Sequence, residues 1–474
     1  MLSQLSLNKD LASCEPILLS IPRKLSKRRV EPDVDCQPSR RHDSTGGKRD
    51  MRTLRQFRNF WPLWVATIVL ACSSNAFAQA SYKVADQGTL GDDNFGMVMG
   101  LNNQGWTQNM DGEGNPPVLS LSTTVLSGRA VMNIDGHNID LGTLGGKNSW
   151  TNYGGINDRG ENVGYAETSV LDPDGEDFCA FGTKLTCRGF YWRDGHIMAL
   201  PTLGGNNAQA AAINNRGQIV GISETAVQDS GCPASKPGKI ISPALWEKGE
   251  VRALPTVYGD PDGFVQGIND QGQAVGSSGT CTGIAAHAVL WENDTAVELK
   301  GLGGRTGNAA YAINDHGQAV GYVTSSDGST IVPSIWHESG LTTLPILPGD
   351  GAAFATGINN RGQVVGSTFK SGSWSHGFIG EDGVVTDLNT LIPEDSNLFI
   401  VAASNINERG QISGMAQVVT GPNAGKIHAI LLTPSNESIS RSVADAVRTR
   451  PGSILPASAH SDHSPSFELG RIGQ

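Results

Sequence analysis

The phrase Y-A-I-N-D-H-G-Q-A-V-G-Y, Tyr311 to Tyr322, constrains this chain more than any other feature, because it returns in recognisable form seven times. Two short β-prone runs flank Asn314-Asp315-His316-Gly317. A Gly closing a few polar residues between such runs supplies the positive φ that a tight hairpin turn requires. The Asn recurs at Asn102, Asn157, Asn214, Asn269, Asn314, Asn359 and Asn407, preceded by Ile or once by Leu101, with a Gly three residues later each time. Successive Asn residues lie 55, 57, 55, 45, 45 and 48 apart. That period sits at or somewhat beyond that of propeller blades and away from that of helical or leucine-rich repeats.

Each hairpin is followed by a variable loop and then by a run ending in an aromatic or apolar residue: Trp192, Trp246, Trp291, Trp336 and Ile379. A tight turn such as R-D-G or E-S-G comes next, and then a fourth run, L-G-T-L-G-G (Leu141 to Gly146), L-P-T-L-G-G (Leu200 to Gly205) or L-K-G-L-G-G (Leu299 to Gly304). Four short strands per unit predict an all-β fold, a single β-propeller of four-stranded blades over residues 81–434. The ends of the array suggest closure. D-Q-G-T-L-G (Asp86 to Gly91) has no blade of its own in front of it, and H-A-I-L-L (His428 to Leu432) has no fourth run behind it. Pairing the two predicts seven blades in a ring without exposed sheet edges, the N-terminal strand completing the last blade.

The combination of an I-N-x-x-G-Q-x-V-G hairpin, an H-A-F-x-W strand and an L-G-x-L-G-G run resembles the extracellular repeat family named for its His-Ala-Phe tripeptide. The resemblance spans roughly residues 82–434. The tripeptide is degenerate here, with His287-Ala288-Val289, His376-Gly377-Phe378 and His428-Ala429-Ile430 nearest to it, and the first unit reads W-T-Q-N-M where others read Q-x-V-G-x. The resemblance implies an exported bacterial protein and carries no established catalytic activity.

Residues 1–50, polar and rich in Arg and Lys, read as untranslated sequence or a disordered leader. From Met51 the text is that of a secretory signal. Arg52, Arg55 and Arg58 form its charged region, Pro62 to Ala71 its apolar core, and Ala76-Phe77-Ala78 or Ala78-Gln79-Ala80 its cleavage site. The core is too short to span a membrane. Leu70 ahead of Cys72 departs from a lipoprotein box, so anchoring at Cys72 is not expected. Residues 1–80 hold 13 of the 35 basic and 7 of the 46 acidic residues, which leaves 22 against 39 and a net charge near −17 beyond them. So acidic a chain excludes nucleic acid and anionic membranes as partners, since both are held through Lys and Arg. The expected product is an extracellular or periplasmic monomer, and residues 435–474, a Ser/Pro/His tail, are expected to be disordered.

Four cysteines follow the signal: Cys179, Cys187, Cys232 and Cys281. An even set in an oxidising destination, without zinc spacing, predicts disulfides. Cys179 and Cys187 are expected to pair across a short loop. Cys232 and Cys281 are expected to join equivalent loops of neighbouring blades.

In an up-and-down blade, the turns after strands one and three share one face, and the connections after strands two and four share the other. The first face collects uniform turns. The second collects the variable loops, all four cysteines and several carboxylates, and so is the candidate ligand face. Its candidates are Asp92, Asp93, Asp260, Asp262, Asp350, Glu394 and Asp395. L-D-P-D-G-E-D (Leu171 to Asp177) offers Asp172, Asp174 and Asp177 as oxygen ligands for Ca²⁺, without the spacing of a known calcium loop, and solvated turn residues are the plainer reading. No other cofactor is implied.

His287, His376 and His428 occupy one repeat position, so they cannot converge, and a packing or strand hydrogen bond is expected of them. Trp192, Trp246, Trp291 and Trp336 are expected to pack between blades. Trp106, Trp150 and Trp374 fall outside that position and are candidates for stacking on a sugar or for loop packing. No spacing singles out an acid and a base, and there is no phosphate loop or nucleophile elbow. The function expected is therefore binding or structural interaction with a glycan, protein or cation; the alternative is a secreted glycan hydrolase or lyase.

Overall fold

The structure, a computed structural model, describes residues 81–90, 95–113, 127–230, 238–280, 285–303, 307–370 and 373–435. The expected leader, the signal segment with Cys72, Asp92, Asp93, Cys232, Cys281 and the C-terminal tail lie outside the described residues.

The hairpin phrase sets the local fold. Gly317 closes its turn at φ +73°. Its N–H reaches the Asn314 carbonyl, and the Asn314 N–H reaches the carbonyl of Gln318. Four residues further on, the second strand carries another glycine for a different reason. At Gly164, Gly221, Gly276, Gly321, Gly366 and Gly414 a Cβ would overlap a carbonyl oxygen of the adjacent first strand. The first strand carries a bulge opposite, where register shifts by one residue between Ala310 and Ala312, and likewise between Ala210 and Ala212 or Val265 and Gly267. The residue left out of the ladder stands three positions before the repeat Asn.

Built from this hairpin, the chain is all-β. Strand β1 (Ser81–Gly88) precedes a first quartet of β2 (Phe95–Leu101), β3 (Thr107–Glu113), β4 (Ser127–Ile134) and β5 (His137–Asp140). The second quartet is β6 (Gly145–Ile156), β7 (Asn162–Leu171), β8 (Leu185–Arg193) and β9 (His196–Ala199); the third is β10 (Gly204–Ile213), β11 (Ile219–Gln228), β12 (Lys239–Glu247) and β13 (Glu250–Ala253). The fourth comprises β14 (Asp262–Ile268), β15 (Ala274–Gly279), β16 (Ala285–Glu292) and β17 (Thr295–Leu299), and the fifth β18 (Ala309–Ile313), β19 (Ala319–Thr324), β20 (Ile331–His337) and β21 (Gly340–Thr343). The sixth comprises β22 (Ala352–Ile358), β23 (Val364–Lys370), β24 (Ser373–Glu381) and β25 (Val384–Asp387). The chain ends on β26 (Leu398–Ile406), β27 (Ile412–Val418) and β28 (Ile427–Ser435), and β1 pairs antiparallel with β28 from Ser81↔Ser435 to Gly88↔Ala429.

The second to sixth quartets are separate antiparallel sheets of four strands, each in sequence order. The first quartet and β26–β27–β28 share one eight-stranded sheet, joined where Phe95 of β2 meets Ile427 of β28 in parallel. The architecture is β-propeller-like. Its core lies between quartets: Phe190, Trp192, Met132 and Leu141 pack together from the first and second, and Val320, Ala353, Ile358 and Phe378 from the fifth and sixth.

One expectation is corrected. The fourth strands are His137–Asp140 and His196–Ala199, directly before the L-G-T-L-G-G and L-P-T-L-G-G phrases rather than on them. An outer strand bonded on one edge needs no apolar alternation, so H-N-I-D does not announce itself. The phrase's leucines, Leu141 and Leu200, instead turn inward and bury themselves in the inter-quartet clusters, and the glycines open the following first strand.

The recurrent tryptophans sit between quartets, as expected. The indole N–H groups of Trp246, Trp291 and Trp336 donate to the carbonyls of Pro201, Pro255 and Lys300, in the connections that lead into their own quartets. The other three are also packed: Trp150 lies stacked 6.4 Å from Tyr165, Trp374 meets Phe354 edge-on at 5.5 Å, and Trp106 packs against the cluster around Ile156.

Candidate functional site

The repeat Asn does more than shape its turn. Its side-chain oxygen accepts the N–H groups two and four residues on, as Asn314 does from His316 and Gln318. Its amide then donates to the carbonyl of the next repeat Asn. The series runs Asn102→Asn157→Asn214→Asn269→Asn314→Asn359→Asn407 and returns from Asn407 to the Asn102 carbonyl, every bond between 2.9 and 3.2 Å. Only an amide supplies both the acceptor and the donor, so Asp would not serve here.

A second circuit lies one residue on. The N–H of each residue following the repeat Asn donates to the side-chain oxygen of its counterpart in the next hairpin, in the order Asn103, Asp158, Asn215, Asp270, Asp315, Asn360, Glu408 and back to Asn103, at 2.7–3.0 Å. Four of these seven are carboxylates and three are amides. Four arginines are the next residues along, Arg159, Arg216, Arg361 and Arg409: Arg159 bonds the Asn215 carbonyl and Glu161, Arg361 the Glu408 carbonyl and Gln363, and Arg216 Gln218.

These rings surround a cavity of about 200 Å³. Its mouth is the carboxylate and amide ring, and its wall includes Leu101 and the six Ile residues that precede the repeat Asn. Deeper lie Tyr153, Gln266, Tyr311 and Thr356. Gln266, Tyr311 and Thr356 are the residues that the first-strand bulge leaves out of the ladder. Strand β6 departs from the pattern, with Asn152 to Gly155 all lying between the paired residues Thr151 and Ile156 and Gly154 at φ +77°. That longer bulge brings Tyr153 to Tyr311, three quartets away, with ring centroids 6.5 Å apart. Burial pushes the Tyr153 phenol up to about 12 and carries that of Tyr311 well above its ordinary value, so both hydroxyls keep their protons.

The sequence-predicted carboxylates among the described residues fall on the opposite ends of the hairpins, and Asp260, Asp262 and Asp350 are engaged within the protein. Asp260 accepts from Ser278 Oγ at 2.5 Å and lies 2.9 Å from His287 Nδ1. Asp350 accepts from Thr368 at 2.5 Å and Ser375 at 2.9 Å and lies 2.8 Å from His376 Nδ1. Asp86 takes the same place beside His428, at 2.8 Å. The three histidines therefore share one role, a clasp that ties a third strand to the segment entering or completing its sheet. Asp262 is buried and accepts the Ile241 N–H at 2.8 Å. Glu394 and Asp395 are exposed.

The calcium candidates are loop caps. Asp172 accepts the N–H groups of Asp174 and Glu176 and the side-chain amide of Asn207 in the next quartet. Asp174 accepts from Asn206 at 2.7 Å and pairs with Lys239, and Asp177 accepts the Gly182 N–H. Among the described residues no three Asp, Glu, His or Cys side chains converge as metal ligands. Cys179 and Cys187 form the expected local disulfide, with Cα atoms 5.7 Å apart. The expected Cys232–Cys281 pair lies outside the described residues.

The sequence reading passed over the cavity because its rim belongs to the most regular turns of the chain. The available signal was what varies inside that regularity: the residue after each repeat Asn, and the longer run T-N-Y-G-G-I ahead of Asn157.

Fold and cavity together define a β-propeller-like repeat protein with a cavity rimmed by four carboxylates and three amides. No protein-family model matches the sequence, and no curated protein matches it. Solved structures overlap it at low identity. The β-propeller domain of the trilobed protease from Pyrococcus furiosus aligns at TM-score 0.42 and 10% identity, over 72% of this chain and 95% of its own. A streptogramin B lyase aligns at 0.44 and 8% over 75% and 98%, and a gluconolactonase from Xanthomonas campestris at 0.33 and 11% over 77% and 94%. Likenesses of this order do not bear on activity. Among the described residues no helix is long and apolar enough to cross a membrane.

Proposed function

We propose that the chain is an exported binding module, a seven-bladed ring closed by β1, which recognises a glycan or protein ligand through the face bearing the long second-to-third loops. One observation carries this reading. Strands β7 and β11 run ten residues, against six or seven in β15, β19 and β23, so two neighbouring quartets overhang that face. The overhang exposes Val170 (60%), Leu171 (67%) and Val227 (58%), apolar side chains that a ring core does not need outside. It is also stapled, by Cys179–Cys187, by Asp172 to Asn207 and by Lys239 to Asp174. Rigid loops with exposed apolar residues lose little entropy on binding, as a recognition surface requires. The disulfide supports export into an oxidising compartment.

The binding reading is preferred to catalysis because Asp260, Asp262 and Asp350 each serve a hydrogen bond of the fold, which leaves them poorly placed to exchange protons with a substrate. The deciding experiment presents the purified protein to a glycan array and to a panel of polysaccharides, with calcium as a separate arm. Saturable binding without turnover, weakened by Leu171→Ser with Val227→Ser, is the expected result. Release of new reducing ends from any polysaccharide would favour a hydrolase or lyase instead.

A further inference from the structure

The axial cavity lies at the opposite ends of the hairpins from the overhang and is independent of it. We infer that it is a second binding site, and that its ligand is a small aliphatic amine, a diamine or polyamine carried as an organic cation.

The charge at the mouth points to a cation. Glu408 accepts one hydrogen bond from its ring neighbours, Asp270 and Asp315 two each, and Asp158 three. A carboxylate offers about four acceptor positions, so each retains capacity for a further donor. None of the four arginines that directly follow ring residues, Arg159, Arg216, Arg361 and Arg409, lines the cavity, and between the carboxylates stand only amides.

The floor supplies a second, independent indication. Tyr311 is only 4% exposed and lines the cavity, and among the described residues no hydrogen bond acts on its hydroxyl, only burial and the neighbouring Tyr322 and Tyr153. Tyr153 and Gln266, half-buried, line the same floor. A hydroxyl on a residue as buried as Tyr311 is normally paired, and leaving one unpaired is costly. The bulge of β6 that brings Tyr153 across to Tyr311 is specific to one quartet, so the repeat itself does not demand it.

The shape selects the kind of cation. No three acidic or histidine side chains converge among the described residues, so the carboxylates do not cage a bare metal ion. Spread around a rim above an aliphatic wall and an aromatic floor, they suit a ligand with one ammonium at the mouth, methylenes against the wall, and a second ammonium donating to the Tyr hydroxyls and the Gln266 oxygen.

Isothermal titration of the full-length protein with 1,4-diaminobutane and with spermidine tests this, with calcium chloride and a neutral monosaccharide at matched ionic strength as comparison arms. Saturable binding of the amines is expected, weakening as sodium chloride is raised. Glu408→Gln keeps the oxygen that accepts the Asn360 N–H and removes the charge, so it should fold with an unchanged melting temperature and lose affinity about tenfold. Tyr311→Phe keeps the ring packing and removes the hydroxyl, and should weaken the amine while leaving glycan binding at the overhang untouched. The inference is overturned if neither amine binds saturably, if Glu408→Gln binds them as wild type does, or if calcium or the neutral sugar alone titrates the site.

Discussion

At the scale of single residues, the repeat asks two side chains to do what no others can. Asn314 accepts two N–H groups of its own turn while donating to Gln318 and to the Asn359 carbonyl, all from a nearly inaccessible position. Asn314→Asp replaces the donor with an oxygen facing two acceptors, and should cost about 2–3 kcal/mol in a urea-unfolding comparison. An equal loss with Asn314→Ala would fit simple removal of bonds; a larger loss with Asp identifies the repulsion. Gly276 is the second case. A Cβ there would overlap the Phe264 carbonyl oxygen, so Gly276→Ala should destabilise by about 2–4 kcal/mol, whereas Gly383→Ala, at an open turn, should cost less through its φ of +78° alone. The turn glycine was legible in the sequence because φ > 0 is a property of the residue itself. The strand glycine and the donor role of Asn were not, because both depend on a neighbour, the bulged strand in one case and the next hairpin in the other.

At the scale of elements, the His–Asp clasp fastens loop-side strand ends, and in the sixth quartet it makes stability depend on pH. Burial works against charge on both partners of the sixth-quartet clasp, yet the His376 imidazole is held above its ordinary 6.5 by the bond it donates to Asp350 and by Asp387, with Lys370 opposing. The Asp350 carboxyl is held below its ordinary 3.8 by His376, Thr368 and Ser375. A raised histidine contributes fully below its unfolded value and stops contributing as pH rises through its folded one. A lowered carboxylate contributes above its unfolded value and stops as pH falls through its folded one. The clasp therefore stabilises most between about pH 4 and pH 6.5. His376→Gln should cost about 2 kcal/mol at pH 5.5 and progressively less above pH 7, measured as the difference from wild type in chemical unfolding. A difference independent of pH would mean that the histidine acts by packing alone. The element pattern was partly legible. The inner hairpins and third strands follow their β-prone runs and the recurrent Trp, whereas the outer strands were misplaced onto the leucine-glycine phrases, because an edge strand such as His137–Asp140 has little apolar content to mark it. The carboxylates of the loop side were legible as a cluster but not as clasps, since Asp260 and His287 are 27 residues apart and meet only once three strands are laid side by side.

At the scale of the whole molecule, the proposed ring depends on contacts between chain segments more than 300 residues apart. Asn407 bonds to the Asn102 carbonyl, Glu408 to Asn103 and Asn405 to the Met99 carbonyl, all joining β26 and its turn to the first quartet. Strand β1 adds the outer edge of the last set: it pairs along β28, buries Tyr82 against Leu388 and Leu391, donates the Tyr82 N–H to the Leu391 carbonyl at 2.8 Å and brings Asp86 to His428. Without β1, β28 would present an unpaired edge and His428 would lose its clasp. Deleting residues 81–88 should therefore lower the melting temperature by on the order of 10 °C, given a loss of several kcal/mol in a domain of this size. The deletion also distinguishes closure from mere packing, because an open edge can be refilled. A synthetic peptide spanning residues 81–90, supplied in excess, should add as a strand beside β28 and restore most of the lost stability, while a peptide with Tyr82→Ser and Asp86→Asn should not. If the truncated chain melts as the intact one does, β1 is dispensable and the ring holds through its inner hydrogen-bond circuits alone; if it melts lower but the native peptide restores nothing, the contribution of β1 is not that of an edge strand.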